Sequence, residues 1–600
     1  RTYTATPSEM EEEETESLTE VLGLIDTEGR DRVATNSELT VNGTEAEDEP
    51  ETRADEDESI QAVPAAKGWK ISEPDGTEKL FNAYGMLVEA TNAKGQTTSY
   101  LYDEEWSLTE IITPSGKSFG VEQDERGKIL EITLPDGGTL TYEYDDQENL
   151  IQVTDPEGGV RRYAYDDAHH MTAWYDEDGN RTVANTYDEL GRVTAQTDAL
   201  GYTMTFSYEE DATVVTDNRG NQIVYTLDDQ KRNTGITYAN GDVEKTTYDE
   251  NNRISSRTDA NGVTTTYLYD ENGNLLQEIR ADGSQSEYTY NALALPLTAT
   301  DYEGNTTTFT YDARGNLLTM TDGEGNRTSF GYDSLSRMTA MTDANGGTIT
   351  FRYDGDSPVP SSMTDGEGNT TVYTYDEMYR LLTETDGEGN TTTNEYNGNG
   401  WETAVTTADG GTTVYEFSAA GEVRAITDPM GVTTTFAYDA MHNIVSGTDA
   451  LGHTLAYAYD ANYNKVSETD AKGNVTAYAF DERNRQVATT DALGKEIRLT
   501  LDGAGNIVSQ MDRRGNTTSY TYDEVLGLPV SMTDREGNVT SYSYDRNGNL
   551  TAIHYPDGSS VSYTYDGAGR MSSITAQNGL VTTLSYDGNG NIVRISDDES

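Results

Sequence analysis

The sequence predicts an all-β fold made of tandem β-hairpins that form one long, coiled β-ribbon. Three observations lead to this prediction. An aromatic residue recurs about every 21 residues from Phe81 to Tyr586. Two short runs of alternating apolar and polar residues lie between successive aromatics, and a cluster of Asp, Gly and Asn follows each run. Such alternation is typical of strands, and such clusters are typical of tight turns.

The aromatic ladder accounts for the chain from about residue 66 onward. It has 25 positions, most of them 21 residues apart, and Gln123, Leu227 and Leu501 replace the ring at three of them. Self-similarity at a fixed period indicates a repeat protein, in which each unit is stabilised by its neighbours. The ladder is Phe81, Tyr102, Gln123, Tyr144, Tyr165, Tyr187, Tyr208, Leu227, Tyr248, Tyr269, Tyr290, Tyr311, Tyr332, Tyr353, Tyr375, Tyr396, Phe417, Tyr438, Tyr459, Phe480, Leu501, Tyr522, Tyr544, Tyr565 and Tyr586.

Residues 311–331 illustrate one unit, which reads "YDARGN", "LLTMTD", "GEGN" and "RTSFG". The unit therefore contains two strands and two turns. An Asp carboxylate can accept hydrogen bonds within its own turn, and Gly or Asn tolerates positive φ. The clusters thus suit short hairpin loops, such as a type I turn with a bulge. Aromatics two positions apart, such as Phe309 and Tyr311, share one face of the strand, so neighbouring units should form ladders of rings.

The number of strands has a consequence for the shape of the ribbon. About 50 strands at ~4.8 Å spacing would extend for ~240 Å along the hydrogen-bonding direction. Open, twisted sheets rarely exceed about ten strands without curling. We therefore expect the ribbon to coil.

The N-terminal segment, residues 1–65, has a different character from the repeats at 66–600. Its first 60 residues contain 20 acidic and 4 basic side chains, as in "EMEEEETESLTE". High charge of one sign with few aromatics cannot bury enough apolar surface to offset chain entropy. The sequence predicts that this segment is largely disordered.

Composition excludes several classes of function. The net charge is −67, which repels nucleic acids and anionic lipid surfaces. The chain has no cysteine, so disulfides, thiolate metal sites and Cys nucleophiles are absent. No apolar run approaches the roughly 18 to 20 residues that span a bilayer, so we expect no membrane insertion. The chain begins at Arg1 rather than Met, which is typical of a processed product or a fragment.

The recurrent carboxylates could serve as an enzyme's acid pair or as metal ligands. A residue repeated at every turn is better explained by turn geometry than by general acid/base chemistry, and the five histidines show no zinc spacing. We therefore expect no enzymatic activity and no catalytic residue. Oxygen donors around a Gly turn resemble parts of Ca²⁺ loops but lack the EF-hand spacing. Weak, distributed Ca²⁺ binding is kept as a hypothesis for Asp176, Asp178, Asp322, Glu324, Asp365 and Asp386.

The repeated "YDxxGN…TDxxGN" pattern resembles the YD repeats of Rhs proteins, of insecticidal toxin complexes and of teneurins. The resemblance covers roughly residues 66–600. It implies a hollow, spiral β-shell, which in bacterial members encloses a C-terminal toxic domain and in teneurins is part of an extracellular adhesion receptor. The capping core and the toxin that usually follow such repeats lie outside this chain. The two Asp-Pro pairs, at Asp155 and Asp428, fall inside ordinary repeats, so the family's self-cleavage chemistry is not carried over to them.

Two functions are consistent with these observations. The first is the encapsulating shell of a secreted bacterial Rhs-type polymorphic toxin, whose partner is a C-terminal effector domain outside this chain. The second is a secreted or cell-surface bacterial protein whose repeats mediate adhesion or bind cell-surface glycans. Trp69, Trp106, Trp174 and Trp401 could stack on sugar rings in the second case, and ladders that bind neighbouring hairpins together are the alternative use of such side chains.

Overall fold

A computed structural model describes residues 61–65, 68–73 and 76–598. The predicted disordered segment lies outside the described residues, except that Gln61–Ala65 forms the first strand of the sheet. The repeats predicted from residue 66 onward are described almost throughout. Every regular element in the described ranges is a β-strand, as the periodicity predicts.

The sheet contains 52 strands, mostly of five or six residues. The first 26 are β1 Gln61–Ala65, β2 Gly68–Ser72, β3 Glu78–Asn82, β4 Leu87–Thr91, β5 Thr97–Tyr102, β6 Leu108–Ile112, β7 Ser118–Gln123, β8 Ile129–Thr133, β9 Thr139–Tyr144, β10 Leu150–Thr154, β11 Val160–Tyr165, β12 Met171–Tyr175, β13 Val183–Tyr187, β14 Val193–Asp198, β15 Thr203–Tyr208, β16 Ala212–Thr216, β17 Gln222–Leu227, β18 Asn233–Thr237, β19 Val243–Tyr248, β20 Ile254–Thr258, β21 Thr264–Tyr269, β22 Leu275–Ile279, β23 Gln285–Tyr290, β24 Pro296–Thr300, β25 Thr306–Tyr311 and β26 Leu317–Thr321. The remaining strands are β27 Arg327–Tyr332, β28 Met338–Thr342, β29 Thr348–Arg352, β30 Ser362–Thr364, β31 Thr370–Tyr375, β32 Leu381–Thr385, β33 Thr391–Tyr396, β34 Glu402–Thr406, β35 Thr412–Phe417, β36 Val423–Thr427, β37 Thr433–Tyr438, β38 Ile444–Thr448, β39 Thr454–Tyr459, β40 Lys465–Thr469, β41 Val475–Phe480, β42 Gln486–Thr490, β43 Glu496–Leu501, β44 Ile507–Met511, β45 Thr517–Tyr522, β46 Pro529–Thr533, β47 Val539–Tyr544, β48 Leu550–His554, β49 Ser560–Tyr565, β50 Met571–Thr575, β51 Val581–Tyr586 and β52 Ile592–Asp598.

The topology is an uninterrupted antiparallel meander. Each strand pairs with the strands before and after it in sequence, as β24 does with β23 and β25. The odd strands from β3 to β51 carry the aromatic ladder, except β29, which ends one residue before Tyr353. The structure confirms the predicted fold class and the strand-turn-strand-turn unit.

Two kinds of turn alternate along the ribbon and lie on its opposite edges. We call the turn that follows an odd strand a YD turn, as at residues 312–316, and the turn that follows an even strand a TD turn, as at residues 322–326. In both, the first N–H donates to the fifth carbonyl and the fourth N–H donates to the first carbonyl, at 2.9 to 3.2 Å in these two examples. The fourth residue has positive φ, 82° at Gly315 and 86° at Gly325. This is the predicted type I turn with a bulge.

An Asp side chain caps most of these turns. In the YD turn at 312–316, Asp312 Oδ1 accepts hydrogen bonds from the backbone N–H groups of Arg314 and Asn316, at 2.8 and 2.9 Å. Asp312 Oδ2 accepts a third, from Asn316 Nδ2 at 2.8 Å. One carboxylate thus binds its own turn three times, which explains why the repeat requires Asp at this position.

The two faces of the sheet differ in chemistry. In β25, Phe309 and Tyr311 share one face, whereas Thr306, Thr308 and Thr310 share the other, on which Thr308 and Thr310 are exposed. Threonine hydroxyls pair across the hairpins on that second face, as Thr300 does with Thr306 at 2.9 Å. We call these the aromatic face and the hydroxyl face. Ten hairpins contain such an end pair, at 2.8 to 3.0 Å.

The ladder tyrosines join neighbouring strands through their hydroxyl groups. Tyr311 Oη donates to the carbonyl oxygen of Pro296 at 2.9 Å, at the edge where the register shifts by a bulge. The same bond, to a carbonyl at or near the start of the preceding strand, recurs at 2.5 to 3.1 Å. It is made by Tyr102, Tyr187, Tyr208, Tyr248, Tyr269, Tyr290, Tyr311, Tyr353, Tyr375, Tyr396, Tyr438, Tyr459, Tyr522, Tyr544, Tyr565 and Tyr586.

The predicted ladders of stacked rings take a different form. The side chain at the fifth position of a YD turn, often Arg, covers the next ladder ring. The guanidinium of Arg253 lies 4.9 Å from the Tyr269 ring centroid, and that of Arg337 lies 4.5 Å from the Tyr353 centroid. His170 on Tyr187 and Trp401 on Phe417 follow the same geometry. Rings one unit apart lie across intervening strands, so a long cation spans the gap better than a second ring does.

The ribbon coils until its two edges meet. Hydrogen bonds join residues 239 to 266 positions apart in sequence, mostly between a TD turn and a later YD turn. The turn after β24 contacts the turn after β47, so one coil takes 23 strands. At ~4.8 Å per strand this gives a path of about 110 Å and, for a circular section, a diameter of about 35 Å. Removing a side-chain layer of roughly 5 Å on each side leaves a lumen about 25 Å wide.

The wall has little conventional core. Among the described residues, no side chain is fully buried, and the buried apolar residues are Ile111, Val121, Ile132, Ala173, Ala404, Ala425 and Ala488. A single curved sheet can shield each side chain only by its neighbours on the same face. Stability must therefore come mainly from ladder, turn and edge contacts repeated many times.

The tyrosine hydroxyl bond can be tested at Tyr565, whose Oη donates to the Leu550 carbonyl at 2.8 Å. Tyr565→Phe should lower the free energy of unfolding of the local units by about 1 kcal/mol, because a half-buried carbonyl loses its donor. Tyr563→Phe, two positions away on the same face, is the matched control and should cost less. Hydrogen exchange of β48 to β50 measures the difference, and equal effects of the two changes would contradict the assignment.

Candidate functional site: the seam between coils

The edges of successive coils meet along one continuous contact, which we call the seam. It joins the TD turns between residues 92–96 and 343–347 to the YD turns between residues 333–337 and 587–591. The first coil thus offers its TD edge and the second coil its YD edge. Within the described residues, the opposite edges of both coils face no further coil. The seam makes the wall continuous along the axis of the spiral.

A pair of hydrogen bonds, both donated by the second coil, recurs along the seam. At one junction Arg546 N–H donates to Glu303 Oε1 at 2.7 Å, and Asn547 Nδ2 donates to Asp301 Oδ2 at 2.7 Å. The third residue of each turn therefore contacts the start of the turn opposite. Equivalent junctions join Gly398 and Asn399 to Glu157 and Asp155, and join Gly588 and Asn589 to Asn345 and Asp343.

Cationic side chains occupy other positions of the seam. Arg483 donates to Asp242 Oδ2 and to Glu244 Oε1, both at 2.9 Å, and its guanidinium lies 3.7 Å from the Tyr238 ring centroid. Its side chain is only 14% exposed. Arg380 donates to Asp136 at 3.0 Å. Charge-assisted bonds of this kind offset the repulsion between two acidic edges.

One seam junction contains a histidine between two carboxylates. His442 Nδ1 lies 2.6 Å from Glu422 Oε1 in the second coil, and its Nε2 lies 3.1 Å from Asp176 Oδ2 in the first. Asp176 is 2% exposed, which makes it one of the most enclosed charged groups of the wall. The imidazole thus bridges the two coils.

Seam side chains are presented by strained backbone. Tyr379, His442, Tyr463 and Asn484 have φ between 60° and 64° at the fourth position of their YD turns, where Gly is usual. Each contacts the first coil: Tyr463 Oη donates to Asp198 Oδ2, and Asn484 accepts from Arg219. Burial and the bond to Asp198 raise the pKa of the Tyr463 phenol. A non-Gly residue with positive φ costs energy, and here the seam contact repays it.

Glycine permits the closest backbone approach across the seam. A Cβ added at Gly323 would lie 2.3 Å from the carbonyl oxygen of Gly567. Glu324 Oε1 accepts a hydrogen bond from Gly567 N–H at 2.5 Å. Gly323 and Glu324 occupy a "TDGEGN" phrase that recurs at residues 364–369, where no coil lies opposite. The same local sequence therefore serves two different environments.

The structure separates the predicted Ca²⁺ ligands into two groups. Asp176, Asp178, Asp322 and Glu324 lie in seam turns, and all but Asp322, which caps its own turn, contact the second coil. Asp365 and Asp386 lie on the free TD edge of the second coil, where each caps its own turn. In the described ranges no group of three or more His, Asp or Glu side chains is arranged to hold a metal ion. The Ca²⁺ hypothesis stays a prediction.

Hydrogen bonding favours the ionised form of two seam carboxylates, Asp301 and Asp217. Burial acts to raise the pKa of Asp301, but bonds from Asn305 and Asn547 outweigh it and lower the pKa. The same balance lowers the pKa of Asp217, which accepts from Asn221 and Asn462. These carboxylates accept hydrogen bonds and cannot donate them, so the seam depends on amide, guanidinium and backbone N–H donors.

The tryptophans do not form one surface. Trp401 packs on Phe417, and Arg161 covers Trp174. Trp106 packs on Tyr84 with ring centroids 4.2 Å apart, and Trp69 and Trp106 are 37% and 41% exposed.

Among the described residues, no helix combines the length and apolarity needed to cross a membrane.

Family models agree with this geometry. The model of the teneurin YD-shell matches residues 66–197 and 137–258, and the model of the RHS repeat matches ten segments. The chain belongs to the RHS/YD-repeat family. The ten RHS-repeat segments are 248–285, 290–327, 311–348, 360–391, 417–454, 442–475, 465–496, 525–560, 544–576 and 565–599.

Two solved structures share the fold. The crystal structure of TcdB2-TccC3-TEV is 13% identical, with a TM-score of 0.58, and covers 88% of this chain and 42% of its own. A Photorhabdus luminescens Tc holotoxin pore with a TccC3 mutation is also 13% identical, with a TM-score of 0.61, and covers 88% of this chain and 41% of its own. This RHS/YD-repeat chain thus spans about two fifths of those structures. None of the curated proteins matches it.

Sequence reasoning missed the seam residues because the offset of 23 strands depends on sheet curvature. A non-Gly residue at the fourth position of a YD turn is not a sufficient signal. Tyr379, His442 and Tyr463 have positive φ there and contact the first coil, but Trp106 and Lys231 have the same conformation on the free YD edge of the first coil.

The close approach at the seam predicts a position-dependent effect of one substitution. Gly323→Ala should separate the coils locally and speed hydrogen exchange of Gly567 N–H, because its Cβ would overlap the Gly567 carbonyl. The cost should be about 1 to 3 kcal/mol, as for other overpacked contacts.

Gly366→Ala is the matched control, since it changes the same phrase on the free edge, where the nearest atom to a Cβ is 3.6 Å away. The control should leave exchange of Gly567 unchanged. Equal effects of the two variants would show that the local turn, and not the seam, determines the response.

Proposed function

We propose that this chain is the wall of a container: the repeat shell of a secreted bacterial polymorphic toxin, which holds a C-terminal effector domain outside this chain. The observation that carries the proposal is the seam. A ribbon that coiled without edge contacts would leave a gap along its whole length, whereas the seam closes the wall between coils. A lumen about 25 Å wide would admit an unfolded chain or a helix of 10–12 Å diameter.

The role we propose is structural and not catalytic. The polar groups of the seam are used in pairing: Asp301 accepts from its own turn and from the second coil, and Arg483 binds two carboxylates. An active site needs a group held ready for a reactant. The family relationship and the fold shared with Tc toxin structures also favour a shell.

The container function is tested on the complete gene product. The DNA downstream of the codon for Ser600 is sequenced first, and the whole protein is then purified and treated with a protease. We expect a following domain that resists digestion in the native protein and is digested after denaturation. Gly323→Ala should raise its digestion and Gly366→Ala should not.

Two results would contradict the container. A C-terminal domain digested as fast in the native as in the denatured protein would show that the wall does not enclose it. A cell-wall anchor in place of an effector would instead support the alternative, adhesion to cell-surface glycans, which binding to a glycan array would then establish.

Weak Ca²⁺ binding is a separate proposal, and the free TD edge is where it can be tested. Asp365 and Asp386 cap identical turns and have no partner coil, and bonds from Asn369 and Asn390 respectively lower their pKa values. Calorimetric titration should show Ca²⁺ uptake and a rise in melting temperature. Both should fall in the Asp365→Asn, Asp386→Asn double variant, because Asn keeps the turn cap and removes the charge. No uptake by the unmodified protein would reject the proposal.

A further inference from the structure

Four seam asparagines share a contact and a neighbour. Each donates its side-chain Nδ2 to an Asp Oδ2 of the other coil, and each precedes a glycine in sequence. The contacts are Asn261 to Asp502 at 3.0 Å, Asn399 to Asp155 at 2.8 Å, Asn547 to Asp301 at 2.7 Å and Asn589 to Asp343 at 2.6 Å. An asparagine before glycine is the arrangement most open to spontaneous cyclisation, since glycine has no Cβ to obstruct attack.

We propose that these four Asn-Gly pairs are sites of spontaneous deamidation, and that the reaction opens the seam. The backbone nitrogen of the glycine attacks Cγ of the asparagine side chain. The new N–C bond closes a succinimide ring, the Cγ–N bond breaks, and the amide leaves as ammonia after the glycine nitrogen loses its proton. Water then opens the ring at either carbonyl and yields aspartate or isoaspartate.

The product reverses the chemistry of the contact. The amide donor becomes a carboxylate, and it faces a carboxylate that already accepts hydrogen bonds from its own turn. Asp301, for example, accepts from Glu303 N–H, Asn305 N–H and Asn305 Nδ2 in addition to Asn547. Two like charges at hydrogen-bond distance disfavour the contact, and isoaspartate also lengthens the backbone of the turn by one carbon.

Hydrogen bonding of the glycine N–H within the folded turn slows the reaction. Gly548 N–H donates to the Asp545 carbonyl at 3.1 Å, and Gly400 N–H donates to the Asn397 carbonyl at 3.0 Å. The attacking nitrogen becomes available only when such a turn opens. Each converted junction lowers the free energy needed to open the seam beside it. Slow deamidation therefore sets the rate at which the coils separate.

The chain contains its own controls. Asn462 makes the same contact, to Asp217 at 2.6 Å, but Tyr463 follows it and obstructs cyclisation. Asn272 and Asn578 precede glycines in turns outside the seam, on the free edges of the first and second coils. Asn462 tests whether deamidation requires a following glycine. Asn272 and Asn578 test whether deamidation outside the seam leaves the seam closed.

The test ages the purified protein at mildly alkaline pH and follows two quantities. Peptide mass spectrometry measures conversion at each asparagine, and hydrogen exchange measures the seam amides Arg546 N–H and Gly588 N–H, which donate to Glu303 and Asn345. We expect conversion at the four pairs and retention of Asn462. Exchange of both amides should rise roughly tenfold in the converted fraction, as for loss of a bond to a charged group.

Variants test the site of deamidation and its effect on the seam separately. Asn547→Asp with Asn589→Asp should give the fast exchange without ageing, and Asn272→Asp with Asn578→Asp should not. The site assignment is overturned if Asn272 and Asn578 convert while the four seam asparagines stay amides. The consequence is overturned if the seam asparagines convert, or are replaced by Asp, and exchange of Arg546 and Gly588 stays as slow as in the fresh protein. Neither outcome depends on what the lumen holds.

Discussion

The aspartate cap found in most turns is the interaction on which the wall depends. Because one carboxylate binds two backbone N–H groups of its own turn, as Asp312 does, the hairpin closes in a fixed geometry without support from a core. The strands between caps are only five or six residues long, so their register follows from the turns. The same cap accounts for much of the net charge of −67, since nearly every turn contributes an acidic group. Acidity is thus a consequence of how the ribbon folds before it is a property of its partners.

That charge opposes contact between the coils at the seam, where two acidic edges approach to hydrogen-bond distance. The donors at the seam are therefore neutral or positively charged groups: asparagine amides, backbone N–H groups and a few guanidiniums. Asn547 donates to Asp301 and Arg483 donates to Asp242, so both a neutral and a charged donor bind the acidic edge of the first coil. The second oxygen of a seam cap, such as Asp301 Oδ2, accepts from the other coil as well as from its own turn. The cap therefore supports both local folding and closure of the spiral.

The sequence was sufficient to predict the strands and turns of the repeat. The aromatic ladder locates the odd strands almost to the residue, because period-2 alternation and turn chemistry act within one unit. The coil itself follows from strand number. The offset of 23 strands could not be obtained, since it is set by a small curvature summed over many hairpins. Consequently Asp322 and Asp365, which occupy identical phrases, could not be told apart, although only the phrase of Asp322 meets a second coil. The tyrosine hydroxyl bonds were likewise hidden, because alternation shows which face a ring occupies but not what its hydroxyl reaches.

The energetics of such a wall differ from those of a globular domain. Each hairpin contacts its two neighbours and, at the seam, one distant unit, so stability is close to a sum of local terms. In a ribbon without a seam, loss of one hairpin would be felt only by adjacent units. The seam changes this, because each junction ties together turns about 243 residues apart and so couples the two coils. Weakening one junction leaves the strands paired but lowers the cost of parting the next. A wall built in this way can open along a line while every hairpin remains folded, and this property is the one that a container needs if it is to hold a chain and later release it.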